Sequence, residues 1–175
     1  MSLNLTDTSL LHHQAYINGE WIDADSGETM PVKNPATGET IIEIAKVGTA
    51  ETRRAIEAAE TSMQDWKAKP AKERAQILRR WFDLMMQHKD DLGTILTAEQ
   101  GKPLIEARGE IVYGASFVEF FAEEAKRIYG EIIPGHQRDK RIQVLKQPVG
   151  VAASITPWNF PNAMITRKAA PALAA

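Results

Sequence analysis

The stretch Val149-Gly-Val-Ala-Ala-Ser-Ile-Thr-Pro-Trp-Asn-Phe-Pro161 decides how this chain is read. Its first seven residues are apolar or small without alternation, as expected of a β-strand covered on both faces. Pro157 and Pro161 then bracket Trp158, Asn159 and Phe160. Each proline fixes its own φ and biases the preceding residue away from the helical region, so the loop is stiffened at both ends. Residues 161–175 read as a helix. Buried strand, stiff loop and helix in that order open a doubly wound α/β sheet, where ligands sit beyond the carboxyl ends of the strands. Ala170-Pro-Ala-Leu-Ala-Ala175 has neither a glycine stop nor a polar tail. The expectation is therefore a domain truncated at Ala175.

Working back toward the N-terminus, the periodicity changes from 2 to 3.6. Arg141-Ile-Gln-Val144 alternates and pairs in expectation with Glu131-Ile-Ile133 as a hairpin. Before it, Leu104 to Tyr129 predicts one long helix with Gly130 as its C′ residue. Ile111, Ala115, Val118, Ala122 and Ala125 form one apolar face of it, and Tyr113, Phe117 and Phe121 another. Three further helices are expected. One is capped by Thr49 and carries an Ile56, Ala59, Met63, Trp66 stripe. Another opens at Pro70 with Leu78, Trp81, Phe82 and Met85 at helical spacing. The third, with Leu92, Ile95 and Leu96, is stopped by Gly101-Lys-Pro103, where nothing points to a substrate role for Lys102. Asn18-Gly19 signals a type I′ hairpin between Ala15 and Ile22. Asn34-Pro-Ala-Thr-Gly38 is a second turn, followed by a strand over residues 41–45. Residues 1–13 read as a loose tail, with Met1-Ser-Leu3 readable as a cloning remnant.

Composition narrows the function classes. The 175 residues are 43% apolar and 25% charged, the balance of a folded globular chain. With 21 Lys and Arg against 23 Asp and Glu, no basic excess points to nucleic acid or to an anionic membrane. No run reaches the length of a membrane span, and no signal peptide is legible, which leads to the expectation of a cytoplasmic protein. There is no cysteine, hence no disulfide, thiolate site or thiol nucleophile within these residues. The adjacent His12-His13 reads as tail rather than a metal pair, and His88 and His136 stand alone. Gly109 and Gly114 have Walker-like spacing inside a helix, where glycine reads instead as room for close packing. Lys72-Glu-Arg74 and Arg79-Arg80 read as solvated helix faces.

Asn159 has two readings on its residues alone. It is a turn residue between aromatic core fillers, or it holds an amide N–H toward a developing oxyanion. The wider pattern bears on the choice. Ile155-Thr-Pro-Trp-Asn-Phe-Pro161, Ala163-Met-Ile-Thr-Arg-Lys168 and Ala170-Pro-Ala-Leu-Ala-Ala175 resemble the aldehyde dehydrogenase superfamily. So do Asn18-Gly-Glu-Trp21, Asn34-Pro-Ala-Thr-Gly-Glu39, Glu99-Gln-Gly-Lys-Pro103 and Gln147-Pro-Val-Gly150. The Arg127-Ile-Tyr-Gly-Glu-Ile-Ile-Pro-Gly135 and Met164-Ile-Thr-Arg-Lys168 runs resemble its succinate-semialdehyde dehydrogenase branch.

The resemblance implies a Rossmann-like cofactor domain. Residues 1–129 would be its helical N-terminal part, 130–148 a protruding oligomerisation hairpin, and 149–175 its first strand and helix. It implies that Asn159 stabilises the oxygen of a cysteine thiohemiacetal, that Ile155, Thr156, Pro157, Trp158 and Asn159 meet the nicotinamide of NAD or NADP, and that Lys168 relays a proton. Phe160, Met164 and Arg167 would line the aldehyde tunnel. If Phe160 begins the helix, these three share a face at i, i+4 and i+7, with Arg167 about 10 Å along the axis. A guanidinium there suits a small aldehyde with a carboxylate at its far end, such as succinate semialdehyde. The partners implied are this small molecule and further copies of the chain, as a dimer or tetramer. Without a cysteine the chain is expected to be inactive alone. Another short semialdehyde as substrate, or a catalytically dead assembly module, stay open as alternatives.

Overall fold

A computed structural model describes residues 3–175; Met1 and Ser2 of the N-terminal tail lie outside the described residues. Two antiparallel hairpins come first. β1 (Ala15–Ile17) and β2 (Glu20–Ile22) are joined by Asn18 and Gly19, whose φ values of 53° and 84° are those a type I′ turn requires. β3 (Thr29–Lys33) pairs with β4 (Thr40–Ala45), with Met30 opposite Ile44 and Val32 opposite Ile42. β3 is hidden in the sequence because Pro31 sits inside it, which a two-stranded edge tolerates.

Four helices follow: α1 (Thr49–Ala68), α2 (Ala71–Gln87), α3 (Lys89–Gln100) and α4 (Leu104–Glu124). The N-cap of α1 is Gly48 rather than Thr49. Glycine has no side chain to cap the helix, but Glu51 at N3 makes the return bond, taking the backbone N–H of Gly48 at 3.0 Å and also that of Asp25 at 2.8 Å. The expected α1 stripe is also shifted. Ile56 and Ala59 are exposed, and Ala55, Ala58, Met63 and Trp66 are half-buried. In α2 the predicted stripe holds, with Leu78 and Met85 buried and Trp81 and Phe82 packed beside them. Gly101 ends α3 in the left-handed region at φ 78°.

α4 is the hub. It packs against α2, α3 and α5 (Pro161–Ala174). Its Ile111, Ala115, Val118 and Ala122 are almost wholly buried, as is Ala125 just beyond it. The helix stops five residues earlier than the periodicity suggests, tightening into a single 3₁₀ turn over Ala125–Arg127. Gly130 is accordingly not a helix C′ residue. A Cβ there would collide with the Val144 carbonyl, so glycine allows the close start of the hairpin β5 (Glu131–Pro134) and β6 (Arg141–Val144). Between the two glycines of α4 the roles divide. Gly109 faces open space, whereas a Cβ on Gly114 would meet Asn162, Thr166 and the Ala163 backbone. Only Gly114 lets α4 and α5 cross closely.

Three further sequence expectations are corrected. Residues 149–155 form no strand, because a strand needs lateral hydrogen-bonding neighbours and none of the described strands lies beside them. The N-terminal tail is not loose throughout, since the Asp91 carboxylate accepts the backbone N–H groups of Thr6 at 2.9 Å and Asp7 at 2.8 Å. Arg74 is not solvated but buried. It donates from Nε to the Ala174 carbonyl at 3.2 Å and from Nη1 to the Lys69 carbonyl at 2.5 Å. With Trp66 Nε1 on the Leu173 carbonyl at 3.0 Å, it satisfies the C-terminal carbonyls of α5.

Candidate functional site

The site begins where α5 does. Phe160 occupies the N-cap position and has no side-chain acceptor, while Pro161 takes the first helical position, where its missing N–H costs nothing. The next N–H groups still need partners. They find one across the helix crossing: Glu110 Oε1 of α4 accepts Asn162 N at 2.9 Å and Ala163 N at 3.3 Å. Glu110 is a buried carboxylate, with its side chain 1% exposed, and such a group requires a counter-charge. Lys102 provides it through a direct ion pair with Glu110 Oε2. The same ammonium donates to the backbone carbonyl of Asn159 at 3.1 Å and lies 4.0 Å from the centroid of the Phe160 ring.

This network holds the turn Trp158-Asn159-Phe160 at the head of α5. Asn159 itself is exposed, and its carboxamide makes no hydrogen bond among the described residues. It is presented outward rather than wedged into a core. Ahead of it Ile155 is 96% and Trp158 79% exposed, so the aromatic is not core filler.

One turn and more along α5, an open groove of about 580 Å³ lies between α4 and α5. It is lined by Ser116, Phe117, Phe120, Phe121, Arg167 and Lys168. The Arg167 guanidinium sits over the Phe117 ring, 5.5 Å from its centroid. Stacking of this kind orients the planar cation without neutralising it. Of the residues expected to act together, the structure thus brings Arg167 and Lys168 into one groove. Phe160 and half-buried Met164 do not line it, and Phe160 instead covers Lys102.

The sequence does not single out Lys102, Glu110 or Phe117 for this site, although all three contact it. Their signals were present but weak: a buried-side Glu in a helix otherwise apolar on that face, and a lysine locked between a helix-stopping glycine and a proline.

A family model described as aldehyde dehydrogenase family matches residues 21–175. The chain is 66% identical over 173 residues to a glutarate-semialdehyde dehydrogenase of Pseudomonas putida, covering 99% of this chain and 36% of that protein. It is 62% identical to the succinate-semialdehyde dehydrogenase [NADP(+)] of Escherichia coli, again covering 99% and 36%. Its fold superposes on the crystal structure of succinate-semialdehyde dehydrogenase from Burkholderia pseudomallei with a TM-score of 0.97 at 60% identity, over 98% of this chain and 36% of that one. The chain therefore spans a little over a third of the length of these relatives. Among its described residues, five helices and three short hairpins make up this part of an α/β fold, and the chain belongs to the aldehyde dehydrogenase family.

Proposed function

We propose that this chain supplies the oxyanion donor and the substrate-anion contact of an NAD(P)-dependent dehydrogenase. Its substrate is a short semialdehyde with a terminal carboxylate, succinate semialdehyde first and glutarate semialdehyde as the alternative. The observation that carries this reading is the basic pair Arg167–Lys168 in a groove otherwise lined by Phe117, Phe120, Phe121 and Ser116, on the helix whose head presents the Asn159 carboxamide. In this reading Arg167 binds the carboxylate bidentately, and its bed on Phe117 keeps the guanidinium plane fixed. Asn159 donates its side-chain N–H to the aldehyde oxygen as that oxygen gains negative charge. Lys168 lines the same groove and moves a proton at its ammonium.

NAD or NADP, when bound, would supply the hydride acceptor for the oxidation. Exposed Ile155 and Trp158, with half-buried Thr156 between them, offer an uncovered apolar surface that fits the nicotinamide end. The thiol nucleophile cannot come from these 175 residues, which contain no cysteine. By itself the chain is predicted to form no NAD(P)H from succinate semialdehyde.

The domain reading belongs to the same proposal: 1–129 and 149–175 serve the cofactor domain, and 130–148 joins copies of the chain into a dimer or tetramer. Support for the last point is the hairpin's exposed apolar side, where Ile132 is 81% accessible. No helix among the described residues is long and apolar enough to cross a membrane; a cytoplasmic location is part of the same proposal.

The test is a chimera in which this chain replaces the matching residues of the Pseudomonas putida glutarate-semialdehyde dehydrogenase. It should reduce NAD(P) with succinate or glutarate semialdehyde. Asn159→Ala should lower kcat by roughly 10²–10³. Arg167→Ala should erode the preference for succinate semialdehyde over butyraldehyde. Unchanged discrimination would reject the carboxylate role.

A further inference from the structure

We infer that Lys102 and Glu110 are positioning residues for Asn159, setting the direction of its carboxamide through its backbone; this rests on the oxyanion role proposed for that residue. The chain of cause starts with a deficiency. α5 begins at a phenylalanine that cannot cap it, so Glu110 reaches across from α4 to take the free N–H groups of Asn162 and Ala163. That carboxylate is buried and holds an ammonium against itself. The ammonium is then fixed at a point from which it also grips the Asn159 carbonyl, at 3.1 Å.

Lys102 has little freedom to do anything else. Gly101 turns the chain at φ 78° just before it, and a Cβ on Gly101 would approach Pro35 Cγ to 2.9 Å. Pro103, the N-cap residue of α4, comes just after it, and the Lys102 side chain is only 10% exposed. The Phe160 ring closes the other side, 4.0 Å from Nζ. A buried ion pair adds little net stability compared with apolar residues of the same volume. What this one supplies is geometry. The peptide following Asn159 is held between a lysine and a capped helix, while the side chain of Asn159 is left outward. Loss of that hold lets the Asn159 backbone shift, and with it the point from which the carboxamide projects; a misplacement of about 1 Å is enough to cost about 10²-fold in rate.

The decisive variant changes both partners, Lys102→Met with Glu110→Gln. Glutamine keeps an acceptor for Asn162 and Ala163, and no unpaired charge is left buried. In the 175-residue chain, the backbone resonances of Asn159 and Phe160, first of all the ¹³C′ of Asn159 whose carbonyl accepts from Lys102, should shift. The Asn162 and Ala163 amides should stay protected from exchange. Lys102→Arg should restore the Asn159 signals. In the chimera described above, the double variant should lose at least about tenfold in kcat with KM within about twofold. Asn159 resonances that stay at their wild-type positions would overturn the positioning role, whatever Asn159 does in catalysis. An unchanged kcat in the double variant, with Asn159→Ala still impaired, would overturn it equally. An Asn159→Ala chimera of full kcat would instead defeat the oxyanion reading, while the resonances would still report on the hold. Should the double variant fail to fold, Glu110→Gln alone carries the same expectation at smaller size, and wild-type Asn159 resonances there overturn it.

Discussion

Two apolar stretches of this chain meet opposite fates. On α4, Ile111, Ala115, Val118 and Ala122 are sealed against α2, α3 and α5. At residues 149–155, Val149 and Ile155 stand almost fully in solvent and the backbone takes no regular form. Hydrophobicity does not separate them; backbone hydrogen bonding does. A helix satisfies its own N–H and C=O groups and needs only one packed face, whereas a strand depends on neighbours for every one of its ladder bonds. Among the described residues α4 has its partners and residues 149–155 do not.

The same chemical change at the two places gives the largest and the smallest effects expected here. Ile111→Ala removes a side chain that is 1% exposed and should cost about 2–5 kcal/mol, read as a lower midpoint in urea unfolding. A loss below about 1 kcal/mol would mean that α4 is not the hub of the core.

An intermediate effect belongs to the N-terminal tail, which is fastened to α3 by charge rather than by apolar burial. The Asp91 carboxyl is held below its ordinary value of 3.8, first by the hydrogen bond from the Thr6 backbone and then by that from Asp7. A carboxyl whose pKa is depressed in the folded state contributes stability above its unfolded value and loses it as pH falls through the folded one. The latch should therefore weaken as pH falls below 3.8 and be lost once pH has passed below the depressed folded value, freeing the tail from α3. Exchange protection at the Thr6 and Asp7 amides, corrected for the pH dependence of intrinsic exchange, should fall before that of Leu78. Simultaneous loss at all three would show one cooperative unit instead of a tail latched onto a core.

The smallest effect is Ile155→Ala in this chain, expected to change the unfolding midpoint by no more than about 0.5 kcal/mol. A cost comparable to Ile111→Ala would erase the contrast drawn above and require that residues 149–155 pack somewhere in solution.

Much of the helical part was legible because one physical rule governs it. Leu78, Trp81, Phe82 and Met85 on α2, and Ile111 to Ala125 on and after α4, follow a period set by the helix itself. Asn18-Gly19 was legible for a similar local reason, since few other pairs accept both positive φ values. Failures came where a residue's partner lay far along the chain. Arg74 looks like any exposed helix charge until α5, a hundred residues on, brings it the Ala174 carbonyl. Gly109 and Gly114 look alike until α5 crosses one and misses the other.

The candidate site divides along the same line. Sequence by itself determined the turn, the helix and the chemistry on offer. A proline-bracketed turn carries Asn159, a helix starts at Pro161, Arg167 and Lys168 follow at its middle, and no thiol is present anywhere. These depend on dihedral preferences and residue type, which are local properties. Only tertiary structure decided that Phe160 leaves the head of α5 to be capped by Glu110, that Glu110 recruits Lys102, and that Arg167 rests on Phe117 in a groove. Each of those contacts joins residues more than forty positions apart or matches a buried charge to its partner. Such pairings are chosen by the cost of leaving a polar group buried alone, which exists only once the chain has closed around it.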